Sequence, residues 1–386
     1  MMRAMTSEAS CGLAADSHVD DAFVRVREVF EYNLHSGKRP ELGASLAVVI
    51  DGRLVVDLYG GYRDIARTRP WQRDDLCCTF SIGKAMASIC LLTLYERGQL
   101  QFDDPICKYW PEFAAEGKEG ITVRHLMTHQ AGLVAVRQDL TLDALYQGRM
   151  PALLAAERPW WEPGAWHGYH VNTFGIIVAE LVRRVTGMRL ADFFTSQIGG
   201  PHGVEFHFQV PDEELPRVME FDQEPLVLPS MSDGRYRALM RVYENPRGFS
   251  GHHGVVNTRA WQQAELPGTS THSTARDVAR LWSQLARGGG SLLSRETVDL
   301  AVVPQVEGTD LIFGVPSLFT LGFQRSQPNR RVGTNPNAFF HFGHGGSLAI
   351  ADPDARAGIS YVMNQTGSRW MNSRNIPLLA ALYECL

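Results

Sequence analysis

The stretch CCTFSIGKAMASICLLTLYERGQL, residues 77–100, sets Ser81 and Lys84 three apart at the start of an apolar run. Residues so spaced share one face of a helix, where a hydroxyl and an amine can meet. A serine hydroxyl is a weak nucleophile at neutral pH and needs an adjacent base. Lysine can release its proton and serve as that base, whereas arginine cannot. A helix start also offers free backbone N–H groups and a positive dipole end, both of which favour a developing alkoxide. Only four of the 37 basic residues are lysines: Lys38, Lys84, Lys108 and Lys118. With 22 serines, chance alone supplies about 0.23 Ser-x-x-Lys pairs, so the spacing carries little weight by itself. A lysine on an apolar helix, in a chain that otherwise prefers arginine, adds weight. The competing reading is structural, with Ser81 capping the helix and Lys84 stretching its amine to solvent.

The elements around this pair follow from hydrophobic periodicity and turn chemistry. DDAFVRVREVFEYNL (20–34) carries Phe23, Val24, Val26, Val29, Phe30 and Leu34 on one side of a predicted helix. ASLAVVIDGRLVVDLYGGY reads as two strands joined at Asp51-Gly52, a strong hairpin signal. The helix that follows Ser81 runs to about Arg97 and closes at Gly98. The middle of the chain is helix-rich, with FGIIVAELVRRVTG (174–187) and STARDVARLWSQLARGGG (273–290) its clearest members. The tail returns to strands in FFHFGHGG, SLAIADP and GISYVMNQ, then closes with the helical IPLLAALYECL. Strands at both ends with helices between predict an antiparallel sheet flanked by helices and built from the two chain ends, with a helical domain inserted. The expected division is a disordered lead-in over 1–18, a sheet domain from 19–75 and 291–386, and a helical insertion over 76–290. Ser81 then lies where the insertion leaves the sheet.

Four segments occur in order: TFSIGKAMAS, ITVRHLMTHQAGL (121–133), WEPGAWHGYHVNTFGIIVAELVRRVTG (161–187) and FFHFGHGGSLAIADPDARAGISYVMNQ (339–365). Together they resemble the serine β-lactamase-like, penicillin-recognising superfamily, and within it the class C-like carboxylesterases called family VIII. The resemblance covers the chain from about residue 20 onward. It implies that Ser81 is the nucleophile, that Lys84 helps deprotonate it, and that Tyr169 takes the serine proton and passes one to the leaving group. Tyr169-His170-Val171 falls at the family's Tyr-x-Asn motif, and His344-Gly345-Gly346 matches its Lys-Thr-Gly motif. By the same likeness the backbone N–H groups of Ser81 and Ser347 form an oxyanion hole, worth about 10²–10³ in rate per donor. A phenol is a poor base at neutral pH unless a cation holds its phenolate, and Lys84 can supply that charge. Two departures bear on substrate. Val171 cannot hydrogen-bond an acylamide as Asn would, and His344 is mostly neutral at pH 7 where many relatives carry a lysine. Both point to a neutral ester over a β-lactam or a peptide ending in a carboxylate. Trp160, Trp161 and Trp166 either line an acyl pocket near Tyr169 or pack the domain junction.

Other constellations are weaker. Ser232-Asp233-Gly234 imitates a Ser-Asp-Asn motif but reads as a turn, and no Gly-x-Ser-x-Gly elbow occurs. His125 and His129, four apart, lack a completing carboxylate and read as packing and capping residues, and His252-His253 has no supporting pattern. The chain of 386 residues is 44% apolar with a net charge of -5. Its pI is near 6.2 with no basic run, which excludes a nucleic-acid partner as an expectation. Six cysteines without framework spacing read as reduced thiols in a cytoplasmic protein, and no window is long enough for a membrane span. The expected activity is cleavage of short-chain, small-molecule esters by an acyl-enzyme, without metal or organic cofactor. A β-lactamase, D,D-peptidase or amidase on the same scaffold, an acyltransferase, and a non-catalytic penicillin-recognising scaffold protein are the alternatives. Oligomeric state stays open.

Overall fold

Asp51 and Gly52 both adopt the left-handed backbone, at φ 51° and 83°. They form the two-residue turn expected between β2 (Gly43–Ile50) and β3 (Arg53–Gly61). The computed structural model describes residues 12–36, 39–224, 241–246, 254–327, 331–368 and 370–386. Ser232-Asp233-Gly234 and His252-His253 lie outside them. The hairpin lies toward one edge of a nine-stranded antiparallel sheet, ordered β1-β3-β2-β12-β11-β10-β9-β8-β7. Here β1 is His18–Val19, β7 Val306–Thr309, β8 Pro316–Phe319, β9 Gln324–Arg325, β10 Phe339–Phe342, β11 Leu348–Asp352 and β12 Ala357–Met363. The two chain ends meet where β12 pairs with β2, from Ala357 opposite Ile50 to Met363 opposite Ala44.

Both faces of the sheet are covered, which is why β2 and β12 are apolar almost throughout. Leu46 and Val48 belong to one cluster with Phe30 and Leu34 of α1 (Val24–His35) and Leu378 and Leu382 of α5 (Asn375–Tyr383). Ala47, Val49 and Val362 face the other way, against Ala275 and Ala279 of α4 (Ala275–Ala286). Val24, placed with the apolar face of α1 by its periodicity, is 46% exposed at the first turn. The helix α4 packs on β2, β11 and β12 and so stands with the sheet, although its sequence position is inside the 76–290 segment.

The first residues depart from the expected lead-in. Leu13 bridges Gly60, the Ala14 N–H donates to Tyr59 O at 2.9 Å, and β1 pairs with β3. The exposed polar edge of β3 recruits this segment as a strand would be recruited; residues 1–11 lie outside the description. The strands β7 to β9 were not anticipated either. They are two to four residues long and broken by Gly and Pro, too short for a period-2 signal.

Between the sheet segments lie α2 (Ile82–Glu96) and α3 (Phe174–Thr186), which pack on each other. Both close at left-handed glycines, Gly98 and Gly187, as the sequence predicts. A small sheet of β4 (Cys77–Cys78), β5 (Phe206–His207) and β6 (His272–Ser273) fixes the chain just before Ser81.

Candidate active site

Ser81 is the residue before α2, in the capping position, yet its side chain makes no capping hydrogen bond. The hydroxyl is therefore available to Lys84, whose Nζ donates to Ser81 Oγ at 2.9 Å and to the Gly268 carbonyl at 2.8 Å. Lys84 does not extend to solvent; it is 0% exposed. Burial without a carboxylate partner pulls its pKa well below the ordinary lysine value. The carbonyl of Gly268 also accepts from Ser81 Oγ, at 3.3 Å. The backbone just before Ser81 is strained: Phe80 is left-handed at φ 48°, and Thr271 Oγ1 donates to its carbonyl at 2.9 Å.

Three glycines permit this approach. A Cβ on Gly83 would stand 2.2 Å from Pro267 O, and one on Gly175 2.6 Å from Gly268 N. A Cβ on Gly268 would stand 2.8 Å from Lys84 Nζ itself. The loop 266–269 is thus wedged between α2 and α3 with its carbonyl against the amine.

Tyr169 comes from the segment before α3 and is held by its backbone N–H, which donates to Asp310 Oδ2 at 2.8 Å. Lys84 Nζ lies 4.9 Å from the centroid of its ring. Around the phenol pack His129 at 4.7 Å, Phe313 at 5.6 Å and His341 at 6.1 Å, centroid to centroid. Ser81 and Tyr169 both line one cavity of about 260 Å³, with Val171, Tyr243, Phe313, Phe319, Phe342 and Trp370. No lysine or arginine is among its described lining residues.

Several expected placements differ. His344 and Gly345 line the cavity, but Gly346 and Ser347 do not. The turn from β10 to β11 is tight, closed by the Gly343 N–H donating to Ser347 O at 2.8 Å. That turn leaves Ser347 fully buried, its hydroxyl donating to Thr79 O at 3.3 Å. Of the two histidines in the third motif's segment, His341 packs against Tyr169; it stands three residues before the one aligned with the family's lysine. Burial, with the nearby Lys84 charge, lowers its pKa to about 3. His344 packs edge-on to Phe80 at 5.3 Å and is pushed by burial to about 4. Trp166 is 59% exposed and lies off the cavity wall. Asn172, by contrast, turns away as its position next to Val171 suggests, donating to Val242 O at 2.6 Å.

His125 and His129 serve the backbone. His125 Nδ1 accepts from the Thr122 N–H at 3.3 Å while Thr122 Oγ1 accepts from the His125 N–H, a capping box for the helix Val123–Met127. His129 Nδ1 accepts from the His170 N–H at 3.1 Å. The cavity residues Tyr243, Phe313, Ser317, Phe319, Gln324 and Trp370 carried no motif, because they come from short strands and loops brought together only by folding.

The Beta-lactamase family profile matches residues 26–384. The chain belongs to the Beta-lactamase family. Within that family it is 32% identical over 340 residues to Esterase/beta-lactamase LipL of Mycobacterium tuberculosis, covering 84% of this chain and 77% of that protein. A solved family VIII carboxylesterase superposes with a TM-score of 0.88 at 35% identity, over 97% of this chain and all of the other. A penicillin-binding protein homologue from Caulobacter crescentus gives the same TM-score at 33% identity, again over 97% of this chain and all of its own. The fold and the resemblance expected from the four segments are thereby shown. Among the described residues, no helix is long and apolar enough to cross a membrane.

Proposed function

We propose that this Beta-lactamase family member is a serine hydrolase that cleaves short-chain carboxylic esters through an acyl-enzyme. The observation that carries the reading is the 2.9 Å hydrogen bond between Ser81 and a fully buried Lys84, beside a cavity rich in aromatic side chains that Ser81 lines. Burial favours the neutral amine, which accepts the hydroxyl proton as Ser81 Oγ bonds to the ester carbonyl carbon. The Gly268 carbonyl takes one N–H of the amine and so holds Nζ beside Ser81. The proton passes by way of Tyr169 to the departing alcohol oxygen as the C–O bond breaks. In the second half a water gives its proton to the same pair, attacks the acyl carbon, and releases the acid with Ser81 restored.

The oxyanion is held by the Ser81 N–H and, on this reading, by the His344 N–H in place of that of Ser347. His344 opens the helical turn His344–Gly346, where a first N–H has no partner within the turn, and it lines the cavity. A neutral substrate is favoured because Val171 offers no hydrogen bond, the wall holds no described cation, and burial keeps His341 and His344 neutral. The site lies at the junction of a sheet unit with the helical insertion, with α4 counted among the helices of the sheet unit. The five described cysteines are free thiols, which supports a reducing, cytoplasmic setting.

Ser81→Ala is expected to abolish turnover of a p-nitrophenyl ester and labelling by a fluorophosphonate, with an unchanged circular dichroism spectrum. Retained turnover would end the proposal. Mass spectrometry after trapping with an activated ester is expected to place the acyl group on Ser81. Nitrocefin turnover matching ester turnover would favour β-lactam hydrolysis instead.

A further inference from the structure

The cavity has a polar wall that no step of ester hydrolysis uses. In β9, Gln324 is the register partner of Phe340 on one side and of Phe319 on the other, so its side chain leaves the sheet on their face. Ser317, two residues before Phe319 in β8, shares that face. Ser317, Phe319 and Gln324 all line the cavity that holds Ser81.

The two polar side chains differ in how they are satisfied. Ser317 Oγ is 2.8 Å from His167 Nε2, with the serine 3% and the histidine 5% exposed. Gln324 is 7% exposed, and no hydrogen bond joins its carboxamide to another described residue. The carboxamide opens onto the cavity, and a ligand that displaces solvent from it loses affinity unless it meets the same donors and acceptor. Most of the large side chains on the wall are aromatic or aliphatic, so a plain alkyl group would bind there and leave the carboxamide unmet.

The group that fits is uncharged. The described lining holds no lysine or arginine. Its carboxylate, Asp310, accepts the backbone N–H groups of Tyr169, Ile312 and Phe313 at 2.8–2.9 Å. Burial lowers the pKa of His167, which keeps the Ser317 partner neutral as well.

We propose that Gln324, together with Ser317 held by His167, binds an uncharged hydroxyl or carbonyl oxygen on the part of the ester that fills the cavity. The substrate class is then esters carrying a hydroxy or oxo function beyond the scissile bond. This rests on the hydrolase reading above and deepens it.

The test is kcat/KM, followed by acid release in a pH-stat, for matched esters that differ by one oxygen. Methyl 3-hydroxybutanoate and methyl 3-oxobutanoate are compared with methyl 3-methylbutanoate for the acyl side. For the alcohol side, 3-hydroxybutyl butanoate is compared with 3-methylbutyl butanoate. The unaltered enzyme is expected to prefer the oxygenated member of at least one set by about tenfold or more, as sites built to hydrogen-bond a substrate group do. Gln324→Leu is expected to cut that ratio to about threefold or less. Ser317→Ala, a smaller change, is expected to lower it in the same sense and carries the test if Gln324→Leu fails to fold. A ratio below about threefold in the unaltered enzyme, or one that persists in both variants, overturns the proposal. Failure of the hydrolase reading looks different: no ester of any set would be turned over.

Discussion

Gly268→Ala isolates the Ser81–Lys84 contact without touching either residue. The glycine is not in the left-handed region, so alanine meets no backbone penalty, but its Cβ would stand 2.8 Å from Lys84 Nζ and 3.0 Å from Cε. The next atom, Val171 O, is at 3.3 Å, so the relief that costs least is displacement of the flexible amine away from Ser81. Overpacking of this kind costs about 1–3 kcal/mol. A domain stable by about 5–15 kcal/mol remains folded under that load. Loss of a positioned general base costs about 10²–10⁴ in rate. The two effects are therefore separable. We expect kcat for a p-nitrophenyl ester to fall by at least about 100-fold, with a small change in KM and a melting temperature lowered by several degrees. Steady-state kinetics beside calorimetry make the measurement. A kcat within twofold of the unaltered enzyme, at an unchanged melting temperature, would refute the role given to the amine.

Lysine at 84 also sets a pH dependence. Because burial lowers its pKa, the neutral base is present at pH values well under the ordinary lysine range, and kcat/KM should fall as pH drops through that depressed value. Lys84→Arg, which stays protonated, should be inactive throughout the profile. Arg374 pairs with buried Glu41, and Arg374→Met should cost about 3–5 kcal/mol in urea unfolding by stranding the carboxylate. Glu41 is raised by burial to about 7 even with its partner. A carboxyl whose folded pKa is raised favours the fold at low pH and loses that favour as pH climbs from about 4.5 to about 7. The defect of Arg374→Met should thus be smallest in acid. Trp166→Ala should leave ester kinetics within about twofold, whereas Trp370→Ala, which opens the cavity wall, should raise KM; equal effects of the two would contradict the placement of the cavity.

Much of the fold was legible because its signals are local. The Asp51-Gly52 turn, the glycine ends of α2 and α3 and the three tail strands depend on residues within a few positions of each other. The helix α4 was equally legible as a helix, but its contact with β2 and β12 was not, since an apolar face does not name what covers it. The site divides in the same way. Ser81 and Lys84 meet across one helical turn, so their contact is implied by spacing once a helix is granted. The third motif was aligned on glycines and fell on His344, while the strand register sets His341 beside Tyr169.

The sequence by itself determined the proposed nucleophile and base, the family, the hairpin and the apolar stripes that bury each element, because those rest on residue type and short-range geometry. Only the tertiary structure decided that the amine is fully buried, that Ser347 stands behind the cavity and Trp166 outside it, and that Gln324 and Ser317 face Ser81's cavity. Those depend on strand register and on loops from distant parts of the chain closing against each other, and a one-residue shift of register would send every such side chain to the opposite face.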